Sequence, residues 1–308
     1  MNPRIHALLA SARVANLPGV IGNVWLGAAL ALSSTGGTPS WDDARPGVLG
    51  CVILAAVGFY LAGNLANDWA DRGWDARRRP ERALPRGWFR PRTYLAAALA
   101  LTVCAMGLVS VAGPSALAAG VTLLTSIAAY TAWHKRSAWH VVWLGICRAL
   151  LPLMGAIATG ASWHASESLI TAIVGLSIYI IGLSLAARNE AVATDTSRGP
   201  LLPTLLLLPV LALLLIRPPT VSPIITIASI LPYAWWMRHC LRWRRDHGKL
   251  PIGNLLAGIP WVDWMFLLPV GITSANYGII HPFLLLCLLL PPAAFAASLL
   301  LQRIISAS

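Results

Sequence analysis

The sequence predicts an all-α fold, a polytopic membrane helical bundle, and three observations carry that reading. Of its 308 residues, 57% are hydrophobic and only 11% are charged, against about 25% charged in a soluble domain, and the mean hydropathy is +0.69. Apolar runs of about 17 to 25 residues, enough to cross a bilayer as helices, recur from one end to the other. Most of the 23 Lys and Arg residues sit in a few short hydrophilic stretches between those runs. Together these exclude an ordinary soluble enzyme, a disordered chain and a disulfide-stapled secreted domain. The net charge of +12 is not a nucleic-acid signal in this setting, because its distribution is that of loops facing an anionic cytoplasmic leaflet. Cys51, Cys104, Cys147, Cys240 and Cys287 are scattered and suggest neither a metal site nor a disulfide framework. The short run Ala7–Ala10 is followed at once by Arg13 and does not read as a signal peptide.

Ten candidate spans follow in order, roughly 14–33, 46–67, 93–112, 115–133, 140–160, 168–188, 200–216, 220–237, 252–273 and 279–302. Gly113-Pro114 makes a tight turn between the third and fourth, and Arg217-Pro218-Pro219 between the seventh and eighth. With the N-terminus in the cytoplasm, the inside segments hold Arg4, the eight Arg from Arg72 to Arg92, Lys135, Arg136, Arg198 and the cluster Arg238 to Lys249, while the outside loops hold only Arg45 and Arg217. That asymmetry places both termini and the basic loops inside, so the chain is expected to be an integral protein of the cell inner membrane, organised as a single domain over 1–308. Trp133, Trp139, Trp235, Trp236 and Tyr277 sit near span ends as interface anchors.

Only 11 residues are acidic, and four of them fall between Asp68 and Glu81, at the end of the second span. On a continuing helix, Asn67, Asp71 and Asp75 are spaced by four and share a face with Asn64, with Asp68 beside them. Carboxylates crowded in this way repel unless a cation neutralises them. Hard oxygen ligands suit Mg²⁺, which retains waters and takes phosphate oxygens as further ligands. The Arg run that follows, with Arg79 and Arg82, supplies phosphate donors. Carboxylates, metal and a basic flap together indicate a pyrophosphate site at the membrane surface. The competing reading is a solvated helix end whose charges only mark the boundary.

The string Asn67-Asp68-x-x-Asp71-x-x-x-Asp75, then Arg79-Pro80-x-Arg82-x-x-Pro85-x-Gly87, closely resembles the first aspartate-rich motif of the UbiA superfamily of intramembrane prenyltransferases. Arg13-x-x-Asn16-Leu-Pro18 resembles the first span of that family, and Tyr130 to Arg136, with Lys135, its tyrosine–lysine stretch. Gly145-Ile-Cys147-Arg148 resembles the fifth span of an EboC-like branch. The resemblance implies a UbiA-like nine-helix core, here with a tenth span, around a lateral cavity. It implies Mg²⁺ held by Asn67, Asp68, Asp71 and Asp75, and transfer of a prenyl group from an isoprenoid diphosphate to a lipid or aromatic acceptor. Asn16, Asn64, Tyr130, Lys135, Arg148 and Glu190 join Asn67, Arg79 and Arg82 as expected substrate-binding residues. The partners expected are the diphosphate, an acceptor and membrane lipids, with no nucleic acid.

The chain departs from that pattern where the second aspartate motif belongs. Arg188-Asn189-Glu190 followed by Asp195 stands there, and the EboC-like branch likewise has Arg-x-Glu. A solvated loop edge is the alternative for Glu190 and Asp195. Arg148 and Asp263 lie inside apolar runs, where charge is costly and faces a cavity or a partner. For Arg148 both a cavity position and a structural ion pair remain open. Span order makes Glu190 the expected partner of Arg148 at the cavity mouth, and Asp263 reads as a buried helix–helix contact. His134 and His140 read as interface residues. From another function class, a transporter or lipid-binding protein with a metal-regulated cytoplasmic gate stays open; no internal repeat of the kind transporters carry is seen.

Overall fold

The computed structural model describes residues 2–34, 45–134, 137–161, 166–192, 201–215, 222–275 and 282–305. Every element among them is helical. A short α1 (Pro3–Ser11) leads through a single turn of 3₁₀ helix to α2 (Leu17–Ser33). Then come α3 (Pro46–Arg78), α4 (Pro91–Ser110), α5 (Pro114–Trp133), α6 (Val142–Thr159), α7 (Glu167–Val192), α8 (Leu201–Leu215), α9 (Pro223–His247), α10 (Ile252–Ala257), α11 (Ile259–Ala275) and α12 (Pro282–Ile304). Proline occupies the first turn of α1, α3, α4, α5 and α9, where its missing N–H costs nothing and its fixed φ suits the helix. The α4–α5 turn is made by Gly113 at φ 97°, a conformation closed to ordinary side chains.

Each of the ten apolar runs is mostly helical over its described residues, but they are not ten equal crossings. Among the described residues, eight helices are long and apolar enough to span a membrane. The apolar stretch described in α8, Leu206–Leu215, is shorter than a bilayer requires. In α9 the C-terminal half carries Arg238, Arg242, Arg244 and Arg245, which interrupts the apolar run. The 252–302 region divides into two spans, Ile252–Ile272 and Leu285–Ile304.

The centre of the bundle is α2, packed along α6, α11 and α12. In the most apolar 18 residues of Val14–Ser33 and of Ile252–Ile272, 78% of the residues are buried, against 22% in those of Pro91–Ser110 and Leu285–Ile304. The outward faces of α4, α9 and α12 present Leu99, Val103, Ile227, Leu231, Leu289 and Leu300, a surface suited to lipid tails rather than water. The protein is thus an integral membrane protein by its helices.

Two glycines set the tightest contact in this core. A Cβ on Gly27 of α2 would stand 1.7 Å from the Pro152 carbonyl oxygen of α6, and one on Gly155 would stand 1.9 Å from the Val24 carbonyl oxygen. The two backbones therefore touch, as small residues allow between membrane helices. Pro152 also removes one helical hydrogen bond within α6, freeing the carbonyl of Arg148 four residues earlier. A second cluster, Leu65, Tyr94 and Ala98 with Trp69, Leu84 and Phe89, pins the end of α3 to α4 and to the loop between them.

Gly155→Ala is therefore expected to destabilise the protein by at least about 1–3 kcal/mol through overpacking against backbone. Gly107→Ala, at a glycine with nothing within 4 Å of the added carbon, leaves the melting temperature in detergent unchanged or raised. Equal melting of the two variants would contradict the backbone contact.

Candidate active site

Beyond the lipid-facing part of α3, its last three turns run on to Arg78 and carry the acidic face. Asn64, Asn67, Asp68, Asp71 and Asp75 are all buried, Asp75 with only 2% of its surface exposed. This is not a solvated helix end. The helix continues because nothing breaks it before Arg79, whose N–H still donates to the Asp75 carbonyl at 2.7 Å. The loop then folds back in successive turns, with Arg82 N–H donating to Arg79 O at 3.1 Å and Arg86 N–H to Arg82 O at 3.1 Å. Burial of Ala83 beneath this loop and the Leu84–Phe89–Tyr94 contacts swing Arg82 over the acidic face. Its Nη1 donates to Asp75 Oδ2 at 2.9 Å and to Asp68 Oδ1 at 3.3 Å. One guanidinium thus answers two buried carboxylates. Burial and the neighbouring Arg82 both pull the Arg79 guanidinium below its ordinary value, a tension that an anion bound between the two would relieve.

Three further elements complete the chamber. Arg13 sits in the left-handed region at φ 50°, an uncommon conformation for this residue type, and it directs Nη1 to Asn64 Oδ1 at 2.6 Å. Asn64 returns the tie by donating to the Ala12 carbonyl at 3.3 Å, and Asn16 Nδ2 donates to the Tyr60 hydroxyl at 3.2 Å. From α5, His134 stacks on Tyr130, ring centroids 4.9 Å apart, and places Nε2 3.3 Å from Asp71 Oδ2. From α7, Arg188 Nη1 donates to the carbonyls of His134 at 2.5 Å and Ser137 at 2.7 Å, fixing the α5–α6 corner.

These groups open on a cavity of about 1340 Å³. Asn16, Asn64, Asn67, Asp68, Asp71, Asp75, Arg79, Arg82, Tyr130 and Arg148 all line it. Below the charged mouth its wall is apolar, with Phe59, Leu123, Ile127, Leu151, Ile180 and Leu183. Lys135 and Asp195 lie outside the described residues, and so does the side chain of Glu190; Arg188 does line the chamber with Asp71. The expected approach of Arg148 to Glu190 therefore falls outside what is described. The groups that do act on Arg148 electrostatically are Asp263 and Tyr60. Asp263 is fully buried and accepts from Asn23 Nδ2 of α2 at 2.6 Å, the helix–helix contact its position in the sequence suggested.

Sequence reasoning passed over Arg13, His134 and Arg188 as site residues. His134 was expected at an interface, and it does stand at a helix end, but its ring faces Asp71. For His134, its place just past the end of a span, with Tyr130 four positions earlier, was the only local signal available.

The donor set can be tested against Mg²⁺. Among the described residues, no three His, Cys, Asp or Glu side chains form a group able to hold one metal ion, so an all-protein cage of three carboxylates does not exist here. Asn67 Oδ1, however, is buried without a hydrogen-bond partner, while Asn67 Nδ2 donates to Asp71 Oδ2 at 3.4 Å. An orphaned amide oxygen beside a carboxylate is a hard-oxygen pair. It fits the manner in which Mg²⁺ binds, through one or two carboxylates with the remaining positions left to water and phosphate.

An all-helical integral membrane bundle with a charge-balanced mouth over an apolar chamber is the class that fold and site define. The chain belongs to the UbiA prenyltransferase family, whose profile matches residues 23–252. Among solved structures, it is similar to a UbiA homologue from Archaeoglobus fulgidus bound to DMAPP and Mg²⁺, at 14% identity over 97% of this chain and 99% of that one, with a TM-score of 0.51. It is also similar to the apo structure of a UbiA homologue from Aeropyrum pernix K1, at 16% identity over 93% of this chain and 98% of that one, with a TM-score of 0.50. At these identities the likeness concerns the fold. No curated protein matches the chain significantly.

Arg82→Ala removes the counter-charge of two buried carboxylates. It is expected to lower stability by about 1–3 kcal/mol in metal-free buffer, with millimolar Mg²⁺ recovering part of the loss. Thermal melts with and without Mg²⁺ measure both; a variant as stable as the wild type in EDTA would remove Arg82 from this role.

Proposed function

We propose that the protein is a Mg²⁺-dependent intramembrane prenyltransferase, moving a prenyl group from an isoprenoid diphosphate to a lipid or aromatic acceptor. The observation that carries this reading is the buried Asn67–Asp71 pair, with its orphaned amide oxygen, set at the mouth of a cavity whose deeper walls are apolar. Membership of the UbiA prenyltransferase family and the DMAPP and Mg²⁺ bound by the Archaeoglobus fulgidus homologue support it. Gly145 to Arg148 and the Arg188-x-Glu190 stretch favour an EboC-like branch. The arginine distribution favours a cytoplasmic mouth, hence the inner membrane with both termini inside, and one UbiA-like domain over 1–308.

In this reading the diphosphate sits against the last turns of α3. Asn67 and Asp71, joined by Asp68 or Asp75 as Arg82 shifts, are the residues that would hold Mg²⁺, which when bound offsets the charge developing on the departing pyrophosphate. Arg79 and Arg82 donate to phosphate oxygens, Arg82 exchanging its carboxylate partners for them. Arg13 holds Asn64 and the turn below the mouth in place. The prenyl chain lies along Phe59, Leu123, Ile127 and Leu183, which keep water from the allylic cation. An electron-rich acceptor attacks C1 of that cation and loses a proton to form product. No protein nucleophile is required. Lys135 and Glu190 belong to the same proposal as further contacts to the diphosphate.

Asp71→Ala is expected to cut Mg²⁺-dependent diphosphate release by at least about 100-fold while the thermal transition stays within the wild-type range, because the side chain serves a ligand and not the packing of the bundle. Diphosphate release from geranylgeranyl diphosphate by protein in lipid nanodiscs reads this directly. Turnover undiminished in Asp71→Ala, or insensitive to EDTA in the wild type, would discard the metal assignment; a metal-dependent conductance without diphosphate release would favour a gated transporter.

A further inference from the structure

Away from the aspartates, at membrane depth, a second set of polar side chains meets across three helices. Arg148 of α6 retains only 8% of its surface, and Asp263 of α11 and Asn23 of α2 retain none. All three rest on one turn of α2. A Cβ on Gly19 would stand 2.9 Å from Arg148 Nη2, and a Cβ on Gly22 would stand 3.0 Å from Asp263 Oδ2. The two glycines thus make room for a guanidinium and a carboxylate inside the core. Asn23 Nδ2 fixes Asp263 Oδ1 at 2.6 Å. Asp263 and Arg148 act on each other electrostatically, while Arg148 Nε and Nη2 and Asp263 Oδ2 are buried without hydrogen-bond partners. Of the three guanidinium nitrogens, only Nη1 is not sealed, and Arg148 is part of the cavity wall.

Depth and charge separate this group from the diphosphate end. Tyr60, the α3 residue that acts electrostatically on Arg148, precedes Asp68 by eight residues, roughly 12 Å along the helix. Asp263 is the acid that acts on Arg148 electrostatically, with no hydrogen bond joining the two, whereas Arg13, Arg79 and Arg82 serve the mouth. A second anion beside the pair would leave uncompensated charge in an apolar surrounding, which is costly. A neutral oxygen would instead accept a charge-assisted hydrogen bond with no change of net charge.

We propose that Arg148, seated against Gly19 beside the Asp263–Asn23 pair, recognises the acceptor, its outward nitrogen donating to an uncharged hydroxyl of that molecule. The assignment rests on the prenyl-transfer reading for the word acceptor. Arg148 is a binding residue, and Asp263 a positioning residue that sets the charge the pocket tolerates. The prenyl donor and the hydroxyl-bearing acceptor then approach from opposite ends of one chamber, with C1 of the donor between them.

The test is calorimetric titration of 2-naphthol, an uncharged phenol, and of 1-hydroxy-2-naphthoate, its carboxylated counterpart, into the full chain in nanodiscs, with empty nanodiscs as blank. The wild type binds 2-naphthol saturably and more tightly than the carboxylate. Arg148→Gln weakens 2-naphthol by about ten-fold or more and changes the affinity for geranylgeranyl thiolodiphosphate by less than about two-fold. Asp263→Asn leaves Arg148 unbalanced and reverses the preference toward the carboxylate, a reversal that a merely structural role for Asp263 does not produce. The double variant Arg148→Gln/Asp263→Asn buries no unpaired charge, folds, and binds 2-naphthol as weakly as Arg148→Gln with no preference for the carboxylate. Wild-type preference for the carboxylate, absence of saturable 2-naphthol binding, unweakened 2-naphthol binding in either variant lacking Arg148, or weakening of the thiolodiphosphate instead, overturns the proposal. Failure of the transferase reading is recorded separately, as absence of Mg²⁺-dependent diphosphate release by the wild type, since the naphthol titrations require no turnover.

Discussion

Buried carboxylate needs a cation within reach, and that requirement organises one end of this bundle. Asp68, Asp71 and Asp75 lie on one face of α3 and are almost wholly enclosed. Without counter-charge their mutual repulsion and desolvation would be prohibitive. Arg82 meets Asp68 and Asp75, and His134 stands beside Asp71. To bring Arg82 there, the loop after α3 folds back on itself and is clamped by Leu84, Phe89 and Tyr94. To bring His134 there, α5 ends against α7, where Arg188 holds the corner by two carbonyls. The N-terminal turn is drawn in by Arg13 and Asn64. Much of the local architecture around the mouth is thus arranged about charges that the helix could not carry alone.

The same arrangement explains why the site is suited to exchange. Arg82 is the least buried member of its cluster, 17% exposed against 3% for the Asp75 side chain it contacts. A guanidinium in that position can turn from carboxylate to phosphate without leaving the chamber. Asn67 Oδ1 is left without any partner, and an unpartnered buried acceptor is a cost that a bound cation removes. Below this, the walls turn apolar within about two helical turns. A ligand that is polyanionic at one end and hydrocarbon at the other matches both halves.

How much of this was legible in the sequence follows from the range of the interactions. The apolar runs locate the long helices but not the short α1, because a bilayer-length run needs no tertiary context to be recognised. The spacing of Asn67, Asp71 and Asp75 and the arginines after them also lie within one stretch of chain, and ten of the expected site residues line one cavity. The partnerships across the bundle were not legible. Arg148 and Asp263 sit in runs that look alike, and span order pointed Arg148 toward Glu190. The Glu190 side chain lies outside the described residues, while Gly19 and Gly22 seat Arg148 and Asp263 on the same turn of α2, a packing event that no local pattern records. His134 shows the same limit: its contact with Asp71 joins helices that are distant in sequence. Among the described residues eight helices have the length and hydropathy of a span; the described part of α8 is shorter, and α9 runs on from its apolar stretch into arginines.

The account stands on the claim that the chamber transfers a prenyl group and does not merely bind one. The most direct measurement follows the carbon. Purified protein in bilayers containing a total lipid and small-molecule extract is given isotopically labelled geranylgeranyl diphosphate and Mg²⁺, and products are read by mass spectrometry beside released diphosphate. The account predicts that label appears in a new, larger molecule in a one-to-one ratio with diphosphate, and only with Mg²⁺ present. Label that stays in the unreacted diphosphate, or is recovered only as the free prenyl alcohol, would contradict it.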